Sequence, residues 1–229
     1  MSDADTQKRL AGEAAAALVE PGQVVGLGTG STAAHFVRAL AARCLAIRGV
    51  PTSESTAALA RDLGLALVGV DEVTSIDITV DGADEIGPGL ALIKGGGGAL
   101  LREKLVWELS RRCVTIADAA KVVATLGTFP LPVEVIAFGH KGTSRRICDV
   151  LADCDIAMPP RLRRRDGEPF RTDSGNLIYD IDCGAIAEPS ALADALKRVT
   201  GVVEHGLFLG LADLALVGGS DGRVTEILS

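Results

Sequence analysis

The feature that most constrains this chain is an alternation. From the N-terminus to about residue 130, short apolar runs suited to strands pass through polar or glycine-rich turns into stretches with helical spacing. Such alternation over ~130 residues predicts a Rossmann-like, doubly wound, mainly parallel sheet. A first helix is expected from Thr6 to Glu20, with Leu10, Ala14, Ala17 and Leu18 on one face and Pro21-Gly22 ending it. QVVGLGTGSTAAHFVRALAAR then reads as strand, glycine turn and helix, with Phe36, Val37 and Leu40 facing inward. LAIRGVPTS is a second strand, and Ser53 or Ser55 caps a helix that runs through Leu63. LGLALVGV is a third strand and IDITVDGADEI a fourth. ALIKGGGGALLREKLVWELSRR passes from an extended stretch through four glycines into a helix, with Leu101, Leu105 and Leu109 on one side and Trp107 nearby. RCVTIADAAKVV adds another strand and turn.

Beyond Phe129-Pro130-Leu131-Pro132 the texture changes. Strand (PVEVIAFG), helix (TSRRICDVLADCD), two strands (AMPPRLRRR and NLIYDIDCG), helix (EPSALADALKRV, with Pro189 at its start) and strand (GVVEHGLFL) follow in order. This β-α-β-β-α-β order is that of a ferredoxin-like α+β domain. The closing ADLALVGGSDGRVTEIL offers one or two strands that return to the first sheet. The expected domains are therefore residues 1–130 plus 206–229 for the larger and 131–205 for the smaller.

With 48% apolar residues the chain has material for a sizeable core. A net charge of −7 argues against nucleic acid or an anionic membrane as partner, while leaving room for a small anion held by a few lysines. The acidic N-terminus does not read as a signal peptide, and no apolar run approaches membrane-spanning length, so a cytoplasmic protein is expected. Five cysteines without a CxxC fit reduced thiols, and the three histidines form no ligand pattern, so no metal or other cofactor is expected.

Four turns carry candidate chemistry. GLGTGST, with Thr29, Gly30, Ser31 and Thr32, lies between a strand and a helix, where backbone N–H groups and the helix dipole favour an anion. It is neither a dinucleotide fingerprint nor a Walker A loop, and a plain tight turn is the bland reading. In DGADEI, Asp81 and Asp84 flank Gly82 and Ala83 at a strand end, where open parallel sheets bind ligands, although Asp-Gly is also an ordinary turn. In KGGGGALLREK, Lys94 precedes Gly95, Gly96 and Gly97, and Glu103 falls in the early turns of the helix, where the dipole keeps a base ionised. From the local sequence alone, a surface glutamate with solvated Arg102 and Lys104 beside it is the stronger reading. ADAAK supplies Lys121 after a further strand. RLRRR, Arg161 to Arg165, reads as a solvated or subunit-contacting strand face rather than a nucleic-acid site.

Taken in order, GTGSTAAHF, DGADEI, KGGGGALLREK, IADAAK, FPLPVEV and GVVEHGLF resemble the ribose-5-phosphate isomerase A family over essentially the whole chain. The resemblance implies metal-independent interconversion of ribose 5-phosphate and ribulose 5-phosphate in the pentose phosphate pathway, by a homodimer or tetramer. It also implies Glu103 as base, with Asp81, Asp84 and Lys94 around the reacting oxygens. Thr29 to Thr32, Gly82, Ala83, Gly95 to Gly97 and Lys121 would contact the substrate, and Lys8 would reach the phosphate. Ser174, where Asn is common, and Ala137, where Pro is common, are mild departures in the smaller domain. Two rival readings are a non-catalytic sugar-phosphate sensor and a related sugar-phosphate isomerase or lactonase. The sensor should carry a helix-turn-helix, for which the ~20 residues before the first strand are too few. The other would depend on a different base.

Overall fold

In the computed structural model, which describes residues 3–228, the alternation folds largely as its pattern demands. In chain order the elements are α1 (Asp3–Ala17), β1 (Val24–Leu27), α2 (Ser31–Ala42), β2 (Arg48–Pro51), α3 (Glu54–Asp62), β3 (Ile78–Gly82), β4 (Glu85–Ile86) and β5 (Leu92–Ile93). There follow α4 (Leu100–Glu108), β6 (Cys113–Asp118), β7 (Leu131–Val135), α5 (His140–Asp153), β8 (Arg161–Leu162), β9 (Arg164–Arg165) and β10 (Glu168–Pro169). The chain continues with β11 (Leu177–Ile181), α6 (Pro189–Lys197), β12 (Val202–His205), β13 (Leu207–Phe208), β14 (Leu214–Gly218) and β15 (Val224–Leu228).

Two units emerge. The first comprises Met1–Ala83, Arg102–Val122 and Gly210–Ser229; the second comprises Asp84–Leu101 and Val123–Leu209. Residues 84–101, 123–130 and 206–209 thus group with the smaller unit, because β4 and β5 pair with β13 in a small antiparallel sheet of their own.

In the first unit the sheet order is β15-β14-β6-β3-β1-β2. Strands β14, β6, β3, β1 and β2 run parallel, and β15 closes one edge antiparallel. Burial explains the composition of these strands: β1, β6 and β14 are buried at every residue, as near-continuous apolar runs in a parallel sheet require. Phe36, Val37 and Leu40 of α2 pack into this core with Val25, Leu27, Val80, Ile116 and Leu216. In α1 the buried face is Gln7, Ala11, Gly12, Ala15 and Ala16, so the expected face was rotated by about one residue. LGLALVGV is not a full strand. Only Leu67 makes a single parallel bridge, to Gly49, and a short 3₁₀ turn follows at Val70–Glu72. Ser53 caps α3 by accepting from the Thr56 N–H at 3.1 Å.

The second unit carries the ferredoxin-like sheet, antiparallel in the order β12-β7-β11-β8, with α5 and α6 as its helices. Val133, Val135, Ile147, Leu151, Tyr179, Ile181, Leu192 and Leu196 are among its core residues. Glu134 lies inside this unit with 1% exposure, and its Oε1 accepts from Thr172 Oγ1 and Asn176 Nδ2, each at 2.9 Å. Burial pushes its pKa above the ordinary 4.5, hydrogen bonds from Asn176, Thr172 and the Leu101 backbone oppose that, and nearby Glu204 adds to the rise. A raised folded pKa gives stability that is full below 4.5 and lost as pH climbs through the folded value. Wild type is therefore expected to gain stability relative to Glu134→Gln as pH falls through that window. Paired urea titrations check this, and a pH-independent difference between the two proteins would contradict it.

Candidate active site

In the first unit, β1 and β3 are neighbours from which the sheet's strand order runs in opposite directions, and such a switch point opens a crevice at the strand ends. The turn after β1 is stitched to the end of β3. Gly28 N–H donates to Val80 O at 3.0 Å, while Thr29 N–H (3.0 Å) and Gly82 N–H (2.7 Å) both donate to Asp81 Oδ1. Asp81 has no exposed surface at all. The turn needs glycine at position 28, because a Cβ there would lie 2.2 Å from Asp81 Oδ1 and 2.6 Å from its Cα.

The Thr29 hydroxyl meets Thr52 Oγ1 at 2.7 Å and Ser53 Oγ at 2.8 Å, and Thr56 Oγ1 donates to Gly28 O at 2.9 Å. These three hydroxyl residues hold the turn; of them the sequence singles out only Ser53, as a helix cap, and leaves Thr52 in a strand and Thr56 in a helix. Gly30 and Ser31 are exposed at the start of α2, and with Ser55 and Thr56 they line a cavity of about 220 Å³. Lys8 reaches this turn from α1, its Nζ donating to Ser31 Oγ at 3.1 Å. Lys121 ends the 3₁₀ turn Ala119–Lys121 after β6, and Gln7 Oε1 accepts from the Ala119 N–H there at 3.1 Å. Thus Thr29 to Thr32, Asp81, Gly82, Ala83 and Lys121 all follow or end strands on one edge of the parallel sheet, as expected.

Helix α4 corrects the reading of its faces. Leu100, Glu103, Lys104 and Trp107 are buried, with Glu103 at 3% exposure, while Leu105 and Leu109 are exposed. That i, i+3, i+4, i+7 set is one helix face, so Glu103 and Lys104 are not the solvated pair that local sequence allows. On the neighbouring side Arg102 is ion-paired with Glu54 of α3 at 2.9 Å.

In the second unit, Lys94 and its glycines follow β5, which belongs to the small antiparallel sheet and not to the parallel one. Lys94 is 2% exposed, its N–H donates to Gly206 O at 2.9 Å, and its Nζ lies 5.3 Å from the centre of the Phe208 ring. Asp84 Oδ2 accepts from the Gly96 N–H at 2.7 Å, so the second aspartate of DGADEI already organises the glycine loop. Gly96 and Gly97 are exposed, whereas Gly95 and Gly98 are buried. Gly98 has φ +86°, and an added Cβ would meet the Phe170 ring at 2.5 Å. Among the described residues no group of three or more His, Cys, Asp or Glu side chains is placed to hold a metal ion, and no helix is long and apolar enough to cross a membrane.

A glycine-hydroxyl turn at a topological switch point, over a buried carboxylate and with lysines beside it, is the arrangement with which the class of open-sheet α/β proteins holds small anionic ligands at strand ends. The particular kind follows from comparison with known proteins. The family model of ribose 5-phosphate isomerase A (phosphoriboisomerase A) matches residues 48–222. The chain is 69% identical over 221 residues to Ribose-5-phosphate isomerase A of a Caulobacter species, covering 96% of this chain and 97% of that protein. Among solved structures, ribose 5-phosphate isomerase from Plasmodium falciparum is similar with a TM-score of 0.92 at 34% identity, over 98% of this chain and 99% of that one. A D-ribose-5-phosphate isomerase in complex with phospho-erythronic acid is similar with a TM-score of 0.92 at 33% identity, over the full length of both chains. The chain belongs to the ribose-5-phosphate isomerase A family.

Proposed function

We propose that this protein interconverts D-ribose 5-phosphate and D-ribulose 5-phosphate through a cis-enediol, as an aldose-ketose isomerase of the non-oxidative pentose phosphate pathway. The observation that carries this reading is the 69% identity to an isomerase over 96% of the chain. The site chemistry supports it. Isomerisation takes the C2 proton of the open-chain aldose, leaves an enediol across C1 and C2, and returns a proton to C1 while the hydroxyl protons redistribute between the two oxygens.

Glu103 is the proposed base. It is a carboxylate in the first turn of α4, where the helix dipole favours the ionised form that must meet the substrate. Lys94 and main-chain N–H groups of the Gly95–Gly97 loop are proposed to stabilise the oxygen on which negative charge develops. Asp81 and Asp84 are proposed to shuttle protons between hydroxyls and assist ring opening. Thr29 to Thr32, Gly82, Ala83 and Lys121 are proposed substrate contacts, with Lys8 directed to the phosphate. The phosphate contributes binding energy that holds the linear sugar in register. A ligand such as phospho-erythronic acid, which a similar structure holds, carries a planar carboxylate in place of the enediolate oxygens and fits this scheme. The proposal extends to a cytoplasmic homodimer, as the family resemblance implies.

The decisive assay follows ribulose 5-phosphate formed from ribose 5-phosphate, with and without EDTA. Turnover unchanged by the chelator is expected. Absence of pentose isomerisation in the folded protein would overturn the function, and loss of turnover on chelation would overturn its metal independence.

A further inference from the structure

The basic stretch from Arg161 to Arg165 is not uniformly solvated. Arg161 is surface-exposed and pairs with Asp182, but the Arg163 side chain is only 15% exposed. Its guanidinium makes a two-pronged contact with Asp180, with Nε to Oδ2 at 2.9 Å and Nη2 to Oδ1. The remaining nitrogen, Nη1, donates to Gly95 O at 2.8 Å and Gly96 O at 3.2 Å. Phe170, which packs at Gly98, lies beside the guanidinium groups of Arg163 and Arg165, 5.9 Å and 4.6 Å from its ring centre. The main chain on both sides is tied down as well: Arg163 N–H donates to Ile178 O at 2.8 Å, and Phe170 N–H donates to Arg163 O at 2.9 Å.

The consequence follows from peptide geometry. In a trans peptide the C=O and the next residue's N–H point in opposite directions. Holding the Gly95 and Gly96 carbonyls on a guanidinium therefore turns the Gly96 and Gly97 N–H groups away from Arg163. One of these, Gly96 N–H, is already bound to Asp84 Oδ2 at 2.7 Å. Glycine offers no side chain to hold such an orientation; inside the loop the Gly98 N–H donates to Gly95 O at 3.0 Å, and Arg163 adds a hold on both carbonyls from outside it. A cation on the carbonyl side also polarises each peptide and makes its N–H a stronger donor.

We propose that Arg163, itself held by Asp180, is a positioning residue for the isomerisation: it locks the glycine loop so that the Gly96 N–H orients Asp84 and the Gly97 N–H faces the reacting oxygens. This rests on the assignment of the glycine loop to the sugar-phosphate site. Only arginine suits the task, because its planar fork serves a carboxylate and two carbonyls at once, which an ammonium cannot.

The test compares wild type with Arg163→Ala, Arg163→Lys, Asp180→Asn and, as a surface control, Arg161→Met. Steady-state kinetics on ribose 5-phosphate are combined with thermal melts and added ethylguanidine. Arg163→Ala is expected to lose about 10- to 100-fold in kcat with a smaller change in KM, since a misplaced donor weakens the transition state more than the ground state. Ethylguanidine is expected to restore part of that kcat, a response that a merely structural role would not give. Arg163→Lys should stay impaired, Asp180→Asn should fall in between, and Arg161→Met should match wild type. If Arg163→Ala does not fold, Asp180→Asn decides the matter: wild-type kcat in that variant overturns the proposal. So does wild-type kcat in a folded Arg163→Ala, or an impaired one that ethylguanidine leaves unmoved. These outcomes leave the isomerase reading standing, whereas its own failure would show as wild type lacking isomerisation.

Discussion

Glu103→Gln is expected to leave a folded protein whose kcat for ribose 5-phosphate isomerisation is lower by about 10²–10⁴-fold, the usual worth of a general base. The substitution keeps shape and volume and removes only the ability to accept a proton from carbon. Glu103 sits on the buried face of α4 with Leu100, Lys104 and Trp107, so an isosteric amide should preserve the packing. Because the lost interaction belongs to the transition state, KM should change little. Full turnover in a Glu103→Gln protein with a wild-type melting curve would remove Glu103 from the base role.

Gly28→Ala should damage stability and activity together. Its new Cβ would meet not only the Asp81 carboxylate but also the Asp81 Cα at 2.6 Å, and backbone cannot rotate aside as a side chain can. Either β1 and β3 separate locally, or the turn lifts off the strand end and gives up the Thr29 N–H to Asp81 bond. Overpacking of this kind costs about 1–3 kcal/mol, read as a lower urea midpoint. Displacement of Asp81 and of the Thr29–Thr32 turn should lower kcat/KM by about 10²-fold. A variant with wild-type midpoint and wild-type kcat/KM would show that the turn does not govern the site.

What could be read from the sequence follows where physical signals were local. The alternating pattern defined the parallel sheet and the ferredoxin-like order because strand and helix periods differ, and the glycine turns marked the strand ends where polar residues gather. LGLALVGV misled because an apolar run carries no information about whether a neighbour is available to pair with it; here only Leu67 finds one. In α4 the hydrophobicity rule pointed to Leu101, Leu105 and Leu109, yet Glu103 and Lys104 face inward and Leu105 is half exposed. Hydropathy counts any charged face as solvent, so a face that the fold buries with its charges is invisible to it. Arg163 was hidden for a related reason. Its partners Asp180, Gly95 and Gly96 are remote in sequence, so nothing separated it from Arg161 or Arg164 before the fold brought them together.

One strand pairing has a bearing on how the chain is made. Strand β14 lies beside β6 in the parallel sheet, yet the ribosome must produce the whole stretch from Val123 to Leu209 between them. Throughout that interval the outer edge of β6, a strand buried at every residue in the finished sheet, waits without its native neighbour. An open edge of that kind invites pairing with another nascent chain. Translation speed and chaperone supply are therefore expected to govern the yield of this protein more strongly than the stability of its finished sheet would suggest.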